Sequence, residues 1–209
     1  MTITIARNVT CWLTALLSVA AMIGAIAAMA DDAAPLADPP AGELLIASAE
    51  MQDPRFRQTV ILLLRHDATG AFGIVINRPL GERPLADLLA QTDGKDNPDS
   101  TIRVFLGGPV QMQLGFVVHS PDYRRPETLV VSGELAMTAS REVLRDIGHH
   151  KGPAKYLFAL GYAGWGAGQL EDEIAHRGWF TAPAAPDLVF DAERASVWEQ
   201  ALARRAREL

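Results

Sequence analysis

Cysteine is almost absent from this sequence: Cys11, in the apolar N-terminal stretch, is the single example. No internal disulfide can form, and beyond residue 11 the chain offers neither a thiol nucleophile nor a cysteine metal ligand. The sequence also contains no G-x-S-x-G motif, which positions the nucleophile of many serine hydrolases, and no Gly-Lys-Ser/Thr sequence of the kind that ends a P-loop. Several common catalytic classes are thereby excluded.

Positive charge is also scarce, with 19 Lys and Arg against 25 Asp and Glu and a formal net charge of −6. The one dense basic cluster, Arg204, Arg205 and Arg207, closes the chain without interleaved aromatic residues. No zinc-finger or aromatic RNA-binding signature accompanies it. An acidic domain does not attract nucleic acid through its net field, so we expect no nucleic-acid partner.

The first thirty residues differ sharply from the rest. Arg7 precedes a stretch, residues 8–30, without a charged side chain, and this stretch ends in Ala28-Met29-Ala30. The pattern predicts a signal peptide over residues 1–30, cleaved before Asp31, and an exported, periplasmic protein. Two alternatives stay open: an uncleaved membrane anchor, or a true start at Met29 that gives a cytoplasmic protein.

The remaining chain is predicted to form one domain. Residues 31–42, rich in Ala, Asp and Pro, predict a disordered linker, and residues 43–209 a single domain. Apolar runs predict strands at 44–47, 59–64, 72–76, 104–106, 114–119, 128–131 and 156–160. Helical spacing and caps predict helices at 84–91, 140–147, 169–177 and 194–208, and the polar composition of residues 93–100 predicts a loop. This order predicts an α+β domain with a mixed, mostly antiparallel sheet.

Residues 161–170, GYAGWGAGQL, carry four glycines around Trp165 and predict a tightly turning loop between a strand and a helix. That order is typical of phosphate-binding loops. Here, however, Gln169 follows the last glycine, and three carboxylates, residues 171–173, occupy the first helical turn, where they repel phosphate. We therefore expect no nucleotide and no other cofactor, and we expect Trp165 to lie at the loop surface as a binding anchor.

Two further motifs contain side chains capable of catalysis or metal binding. Residues 119–122, His-Ser-Pro-Asp, crowd a possible triad into one loop, where neighbours cannot easily point at one substrate atom, so a strand-end histidine is the simpler interpretation. Residues 173–176, Glu-Ile-Ala-His, place two ligand types on one helical face, but di-iron bundles need a second copy that this chain lacks. We expect no metal site.

Several short segments together resemble the YqgE/AlgH family of bacterial proteins, a family with no settled biochemical activity. The resemblance spans residues 43–198 and departs from the family at Ser48-Ala49, where Met-Pro is frequent. It implies that the sheet curls into a partial barrel with helices packed outside. The matching segments are 53–56, His66 with 70–71, 73–80, 106–110, 115–117 with His119, 138–141, 161–171 and Trp179.

These shared turn and loop positions define a candidate binding surface, since loops carry function more often than core positions do. Its members are Asn77, Arg78, Gly107, Gly108, Pro109, His119, Gly164, Trp165 and Gly166. We expect a non-enzymatic binding or regulatory protein that recognises a small ligand or a protein, with a membrane involved only if the leader stays uncleaved. The alternatives are a hydrolase with an unrecognised site near His119 and, as the family's naming implies, a transcriptional regulator.

Overall fold

The structure is a computed structural model that describes residues 39–89 and 100–208. The predicted signal peptide, residues 31–38 of the predicted linker and all but Ser100 of the predicted polar loop lie outside the described residues. The strands are β1 (Glu43–Ala47), β2 (Val60–Asp67), β3 (Gly70–Val75), β4 (Pro79–Pro84), β5 (Thr101–Leu106), β6 (Val110–His119), β7 (Leu129–Val130), β8 (Ala136–Thr138), β9 (Tyr156–Gly166) and β10 (Trp179–Pro183). The helices are α1 (Leu85–Leu89), α2 (Arg141–Gly148), α3 (Gln169–Ala175) and α4 (Val197–Glu208). A π-helical turn (Asp187–Asp191) and a 3-10 turn (Arg194–Ser196) precede α4.

The ten strands form one curled, mostly antiparallel sheet, a half-barrel with helices outside, which confirms the α+β prediction and the curl that the family resemblance implies. Its main order is β10-β1-β2-β3-β9-β6-β8-β7, and β4 pairs with β5. The long strand β9 joins the two halves: its first half lies between β5, which is parallel, and β6, which is antiparallel. Its second half pairs with β3.

Both faces of the β1-β2-β3 region are buried, which explains why these strands are apolar without interruption. Alternate residues of β1 point to opposite sides: Leu44 and Ile46 enter one core cluster, and Leu45 and Ala47 enter another. Helix α4 packs against β1, β2 and β10, whereas α3 packs against β3, β9 and β10. No helix among the described residues is long and apolar enough to cross a bilayer.

The glycine-rich segment is a strand and not the predicted loop. β9 continues through Gly166, because its glycines allow another part of the backbone to lie against it. At the crossing between the β5–β6 connection and β9, a Cβ on Gly108 would lie 2.0 Å from the carbonyl carbon of Tyr162, and Gly108 has a φ of +155°. A side chain at this position is therefore excluded by both contact and conformation.

Residues 39–42 lie against the sheet. Pro39 is buried, and its carbonyl oxygen lies 2.9 Å from Nδ1 of His66. The other ring nitrogen of His66 lies 2.8 Å from a carboxylate oxygen of Glu171 on α3. The backbone N–H of Gly42 donates to the carbonyl of Leu63. These contacts hold the chain that leads into β1 at the side of β2 next to α3.

Candidate functional site

A cleft of about 500 Å³ opens beside α3. Its walls are the β1–β2 connection, the start of β6, the end of β9 and the turn between α3 and β10. We call it the tryptophan cleft, because Trp165 of β9 and Trp179 of β10 both line it. Phe56 and Met51 extend its apolar wall.

One carboxylate fixes both indole rings of this cleft. Oε2 of Glu173 accepts the N–H of Trp165 at 2.9 Å and the N–H of Trp179 at 2.7 Å. The rings meet edge to face, with 6.0 Å between centroids and an interplanar angle of 83°. Oε1 accepts a further hydrogen bond, at 2.9 Å, from the side-chain amide of Gln169. Hydrogen bonds to an ionised acceptor are stronger than neutral ones, so the two rings have little freedom to rotate.

The local backbone explains how the two tryptophans come to share an acceptor. Gln169 and Glu173 lie one helical turn apart on α3, so their side chains are neighbours. The helix closes when the N–H of Gly178 donates to the carbonyl of Glu173 at 2.8 Å, with Arg177 in the left-handed region at φ 59°. The chain then enters β10 directly, and Trp179 pairs with Ala47 of β1.

The rim of the tryptophan cleft is polar. Arg55 binds the carboxylate of Asp53 with its Nη2 at 2.6 Å, and these hydrogen bonds hold the pKa of Asp53 below its ordinary value. Nδ1 of His176 lies 2.6 Å from the carbonyl oxygen of Asp172. The cleft thus combines an apolar wall with a few polar groups at its edge, the usual composition of a ligand site.

The structure divides the predicted surface into separate parts. Pro109, Gly164 and Trp165 line the tryptophan cleft. Gly166 pairs with Gly70 of β3, and its N–H donates to the side chain of Gln169 at 3.1 Å beside the cleft. Gly107 and Gly108 are buried at the strand crossing.

Two further members of that surface, Asn77 and Arg78, lie elsewhere and hold the β1–β2 connection. Oδ1 of Asn77 accepts the N–H of Val60 at 3.0 Å, and its amide donates to the carbonyl of Gln58 at 2.8 Å. Arg78 donates to the carbonyl of Arg57 and to the hydroxyl of Thr59, both at 2.8 Å. They stabilise a bend in which Gln58 has a φ of 51°.

The expectation that Trp165 lies exposed at a loop surface is wrong. Only 8% of the residue is exposed, and it packs with Leu170 and Trp179 in a core cluster. The neighbouring glycines cannot cover the ring themselves, but helix α3 packs against β9 and shields it from solvent. Trp165 is therefore a buried wall of the cleft and not a protruding anchor.

His119 is fully buried, and both of its ring nitrogens have partners. Nδ1 lies 2.8 Å from the carbonyl oxygen of Ser120, and Nε2 lies 2.9 Å from the hydroxyl of Thr138. Burial lowers the pKa of His119, which favours the neutral ring. The hydroxyl of Ser120 bonds instead to Asp122 and to the backbone of Lys155. The hydrogen bond between nucleophile and base that a hydrolase requires is not present in this group.

The other motifs are engaged in structural contacts. Within residues 39–89 and 100–208, no cluster of three metal-ligating side chains forms around Glu173 and His176 or elsewhere. Arg204 pairs with Asp187, and the guanidinium of Arg205 lies 3.8 Å from the ring centroid of Phe180. Nε of Arg207 donates to the carbonyl of Ala203 at 3.3 Å, so all three arginines have contacts within the domain itself.

Sequence reasoning missed the residue that organises the cleft. The sequence pattern interprets Glu173 only as one of three carboxylates in the first helical turn and as part of the Glu-Ile-Ala-His motif, and Trp179 only as a shared family position. The sequence offers one signal for this arrangement: Trp165 and Trp179 stand on either side of Glu173, which occupies the fifth position of α3. Its meaning depends on the curl of the sheet and the position of α3, which bring the side chains of Trp165 and Trp179 together although β1, β2 and β3 lie between their strands.

Known proteins resemble this chain over most of its length. A family model described as AlgH-like matches residues 44–209. UPF0301 proteins of Jannaschia sp. and of Ruegeria pomeroyi are each 46% identical over 164 residues, which is 77% of this chain and 85% and 89% of theirs. The solution structure of the AlgH protein from Pseudomonas aeruginosa has a TM-score of 0.67 at 43% identity, over 78% of this chain and 87% of that one. A Corynebacterium diphtheriae crystal structure, with a TM-score of 0.62, 22% identity and 80% and 87% coverage, shares the fold.

Proposed function

The chain belongs to the AlgH-like family, and we propose that it is a non-enzymatic binding protein whose tryptophan cleft receives an apolar group of a small ligand or partner protein. Family membership by itself assigns no molecular function. The observation that carries the proposal is the shared acceptor: Glu173 locks two indole rings in one arrangement before any ligand arrives. A wall fixed in advance avoids the entropy cost of ordering side chains on binding.

The dimensions of the cleft support this proposal. A volume of about 500 Å³ lies within the range of roughly 300–1,000 Å³ common among small-molecule sites. Phe56 meets Trp179 edge to face with centroids 5.5 Å apart, so three aromatic rings form a continuous apolar wall. Large rigid aromatic residues of this kind often form the pockets that receive a partner's anchoring side chain.

The polar rim restricts which chemical groups a ligand can carry next to the apolar part that enters the cleft. Glu50, Asp53 and Arg177 border the cleft, while the oxygens of Glu173 already accept hydrogen bonds from Trp165, Trp179 and Gln169. A ligand that fits this arrangement carries an apolar head, aromatic or branched, and a polar neutral group such as an amide at its outer end. An N-acylated aromatic amino acid amide or an extended peptide has this composition.

The experiment is a fragment titration followed by two-dimensional 1H–15N spectra. The probes are N-acetyl-tryptophanamide, N-acetyl-leucinamide and, as a purely polar control, N-acetyl-glycinamide. We expect the indole N–H signals of Trp165 and Trp179 to shift with the apolar probes, whereas that of Trp198, outside the cleft, stays unchanged. Shifts confined to other regions, or equal shifts with the glycine amide, would contradict the proposal.

A matched pair of variants distinguishes binding in the tryptophan cleft from nonspecific apolar binding at the surface. Met51→Ala removes part of the apolar wall and is expected to weaken binding of the apolar probes by about fivefold or more. Met112→Ala, at an exposed methionine outside this cleft, is the control and should leave the affinity unchanged. Equal effects of the two changes would assign the binding to nonspecific apolar contact.

The location of this binding is part of the proposal. The charge-free stretch that ends in Ala28-Met29-Ala30 supports export, so the ligand or partner would be one found outside the cytoplasm. Mass spectrometry of the protein isolated from its own cells decides this. We expect a chain that starts at Asp31; a chain that starts at Met29 or Ala30 in the cytoplasmic fraction would contradict it.

A further inference from the structure

A second cleft, of about 270 Å³, lies where the β1–β2 connection meets the segment after β3 and the start of α4. It shares no lining residue with the tryptophan cleft, although the β1–β2 connection borders both. We call it the arginine cleft, because three arginines line it. The full lining is Arg57, Gln58, Asn77, Arg78, Arg194, Ala195, Trp198 and Glu199.

Arg194 is the most deeply placed of the three, with 8% of the residue exposed. Its Nη1 donates to the carbonyl of Val189 at 2.9 Å and lies at longer distances, 3.3 and 3.4 Å, from those of Ile76 and Leu188. The guanidinium carbon lies 5.8 Å from the ring centroid of Phe105. Within the described part of the chain, none of its hydrogen bonds uses Nε or Nη2. One edge of a buried guanidinium therefore retains its donors.

Arg78 is held in a similar way by uncharged groups. Its Nη2 donates to the carbonyl of Arg57 and to the hydroxyl of Thr59. Burial lowers the pKa of both Arg78 and Arg194, yet an arginine stays protonated in proteins. Both side chains thus bring a positive charge into partly desolvated positions without an ion pair, although the carboxylates of Glu193 and Asp191 attract Arg194 from a longer distance.

The charge of the cleft is not balanced. Among the described residues, no carboxylate oxygen lies within 4.0 Å of a guanidinium nitrogen of Arg57, Arg78 or Arg194. Glu199 borders the cleft without forming an ion pair, so the lining residues carry a formal charge of +2. A partly desolvated charge without an ion pair is unfavourable, and an anion that enters the cleft reduces that cost.

We propose that the arginine cleft binds a phosphate group, either free phosphate or the end of a phosphate monoester, through the guanidinium groups of Arg57, Arg78 and Arg194. A phosphate carries close to two negative charges at neutral pH, which matches the net charge of the lining. Its oxygens project in three directions and accept from several guanidinium forks at once, whereas a carboxylate offers two oxygens in one plane.

The test is calorimetric titration of the purified full-length protein at constant ionic strength. The probes are inorganic phosphate, glycerol 3-phosphate and acetate. We expect both phosphate compounds to bind about tenfold more tightly than acetate or better, because acetate carries one charge and two acceptor oxygens. Tighter binding of glycerol 3-phosphate identifies a monoester as the ligand type, and tighter binding of inorganic phosphate identifies the free ion.

Substitutions locate the site. Arg57 is exposed, so Arg57→Gln leaves the core intact and is expected to weaken phosphate binding by about tenfold. Arg57→Lys retains the charge and should recover part of that loss. Arg124→Gln, an exposed arginine outside the cleft, is the matched control.

Three results would overturn this inference. The first is the absence of phosphate binding at millimolar concentration in the unaltered protein. The second is equal affinity of Arg57→Gln and Arg124→Gln for phosphate, which would place the ion elsewhere. The third is acetate that binds as tightly as phosphate. The tryptophan cleft is tested with other probes and other signals. The absence of phosphate binding would therefore not affect the result of the fragment titration at that cleft.

Discussion

Trp165 and Trp179 share one hydrogen-bond acceptor, Oε2 of Glu173, although they come from different strands. The 2.9 and 2.7 Å bonds fix the two rings at 83° to each other. A single carboxylate therefore connects the stability of α3 with the shape of the tryptophan cleft. Substitutions of Glu173 or of either tryptophan should therefore each change the free energy of unfolding by a measurable and distinct amount.

Glu173→Ala should destabilise the domain by about 2 kcal/mol or more, because two indole donors in a buried cluster lose their acceptor. Glu173→Gln keeps one acceptor oxygen but loses the charge, so its cost should lie between those of Ala and the unaltered residue. Denaturant unfolding measures both. Asp172→Asn, exposed on the same helix, is the control, and a Glu173→Ala loss no larger than the control loss would refute the shared-acceptor role.

Trp165→Ala is expected to cost about 3–5 kcal/mol of unfolding free energy, the range for truncation of a buried aromatic residue. Trp165→Phe retains a ring and loses the donor to Glu173, so a smaller cost of about 1–3 kcal/mol is expected. The two values are compared by denaturant unfolding at one pH. A Trp165→Ala cost below about 1 kcal/mol would mean that the ring is exposed in solution and would restore the sequence-based expectation.

The strands that the sequence patterns predict most clearly are those in which nearly all consecutive residues along the strand are buried. Residues 44–47, 59–64 and 72–76 are apolar runs because both faces of β1, β2 and β3 are covered, and the structure places strands there. β4, in contrast, has six exposed residues and a proline at each end, so its sequence predicts no strand. It forms because β5 offers a hydrogen-bonding edge, which is a tertiary cause.

The candidate site was only partly accessible from the sequence for a related reason. Pro109, Gly164 and Trp165 were predicted as surface residues and do line the tryptophan cleft. Their relation to Glu173 and Phe56 depends on how the β1–β2 connection and α3 meet, which residue spacing does not specify. His119 is a candidate from the sequence because it begins the His-Ser-Pro-Asp grouping and falls in a segment shared with the family, but the pairing of β6 with β8 buries it beside Thr138.

His119 predicts a definite pH dependence of stability. Burial holds its pKa in the folded protein below the ordinary value of 6.5, so the unfolded chain binds the proton more readily. Its contribution to stability is complete above pH 6.5 and is lost as the pH falls from 6.5 towards the lower folded pKa. One proton corresponds to a slope of at most about 1.4 kcal/mol per pH unit.

The measurement is the unfolding free energy of the unaltered protein and of His119→Gln between pH 5 and pH 8. Below pH 6.5 the unaltered protein should lose stability more steeply than the variant, and above it the slopes should agree. His150→Asn, at an exposed position with a φ of 58° that asparagine tolerates, should keep the slope of the unaltered protein. Parallel curves for His119→Gln and the unaltered protein would assign the pH dependence to other groups.

The strand crossing at Gly108 provides the sharpest structural test. A Cβ there would lie 2.0 and 2.2 Å from the carbonyl carbon and oxygen of Tyr162, and both are backbone atoms that cannot rotate away. Relief of this contact requires the β5–β6 connection to separate from β9, which also carries Trp165 of the tryptophan cleft. Gly108→Ala should therefore cost about 4 kcal/mol or more, at the upper end of single-residue effects, and reduce the yield of folded protein.

Gly133→Ala is the matched control, because a Cβ on Gly133 meets no atom within 4 Å. The melting temperatures of the two variants decide the matter: equal values near that of the unaltered protein would mean that the crossing is looser than 2.0 Å implies, and that the end of β9 is positioned by α3 and Glu173 alone.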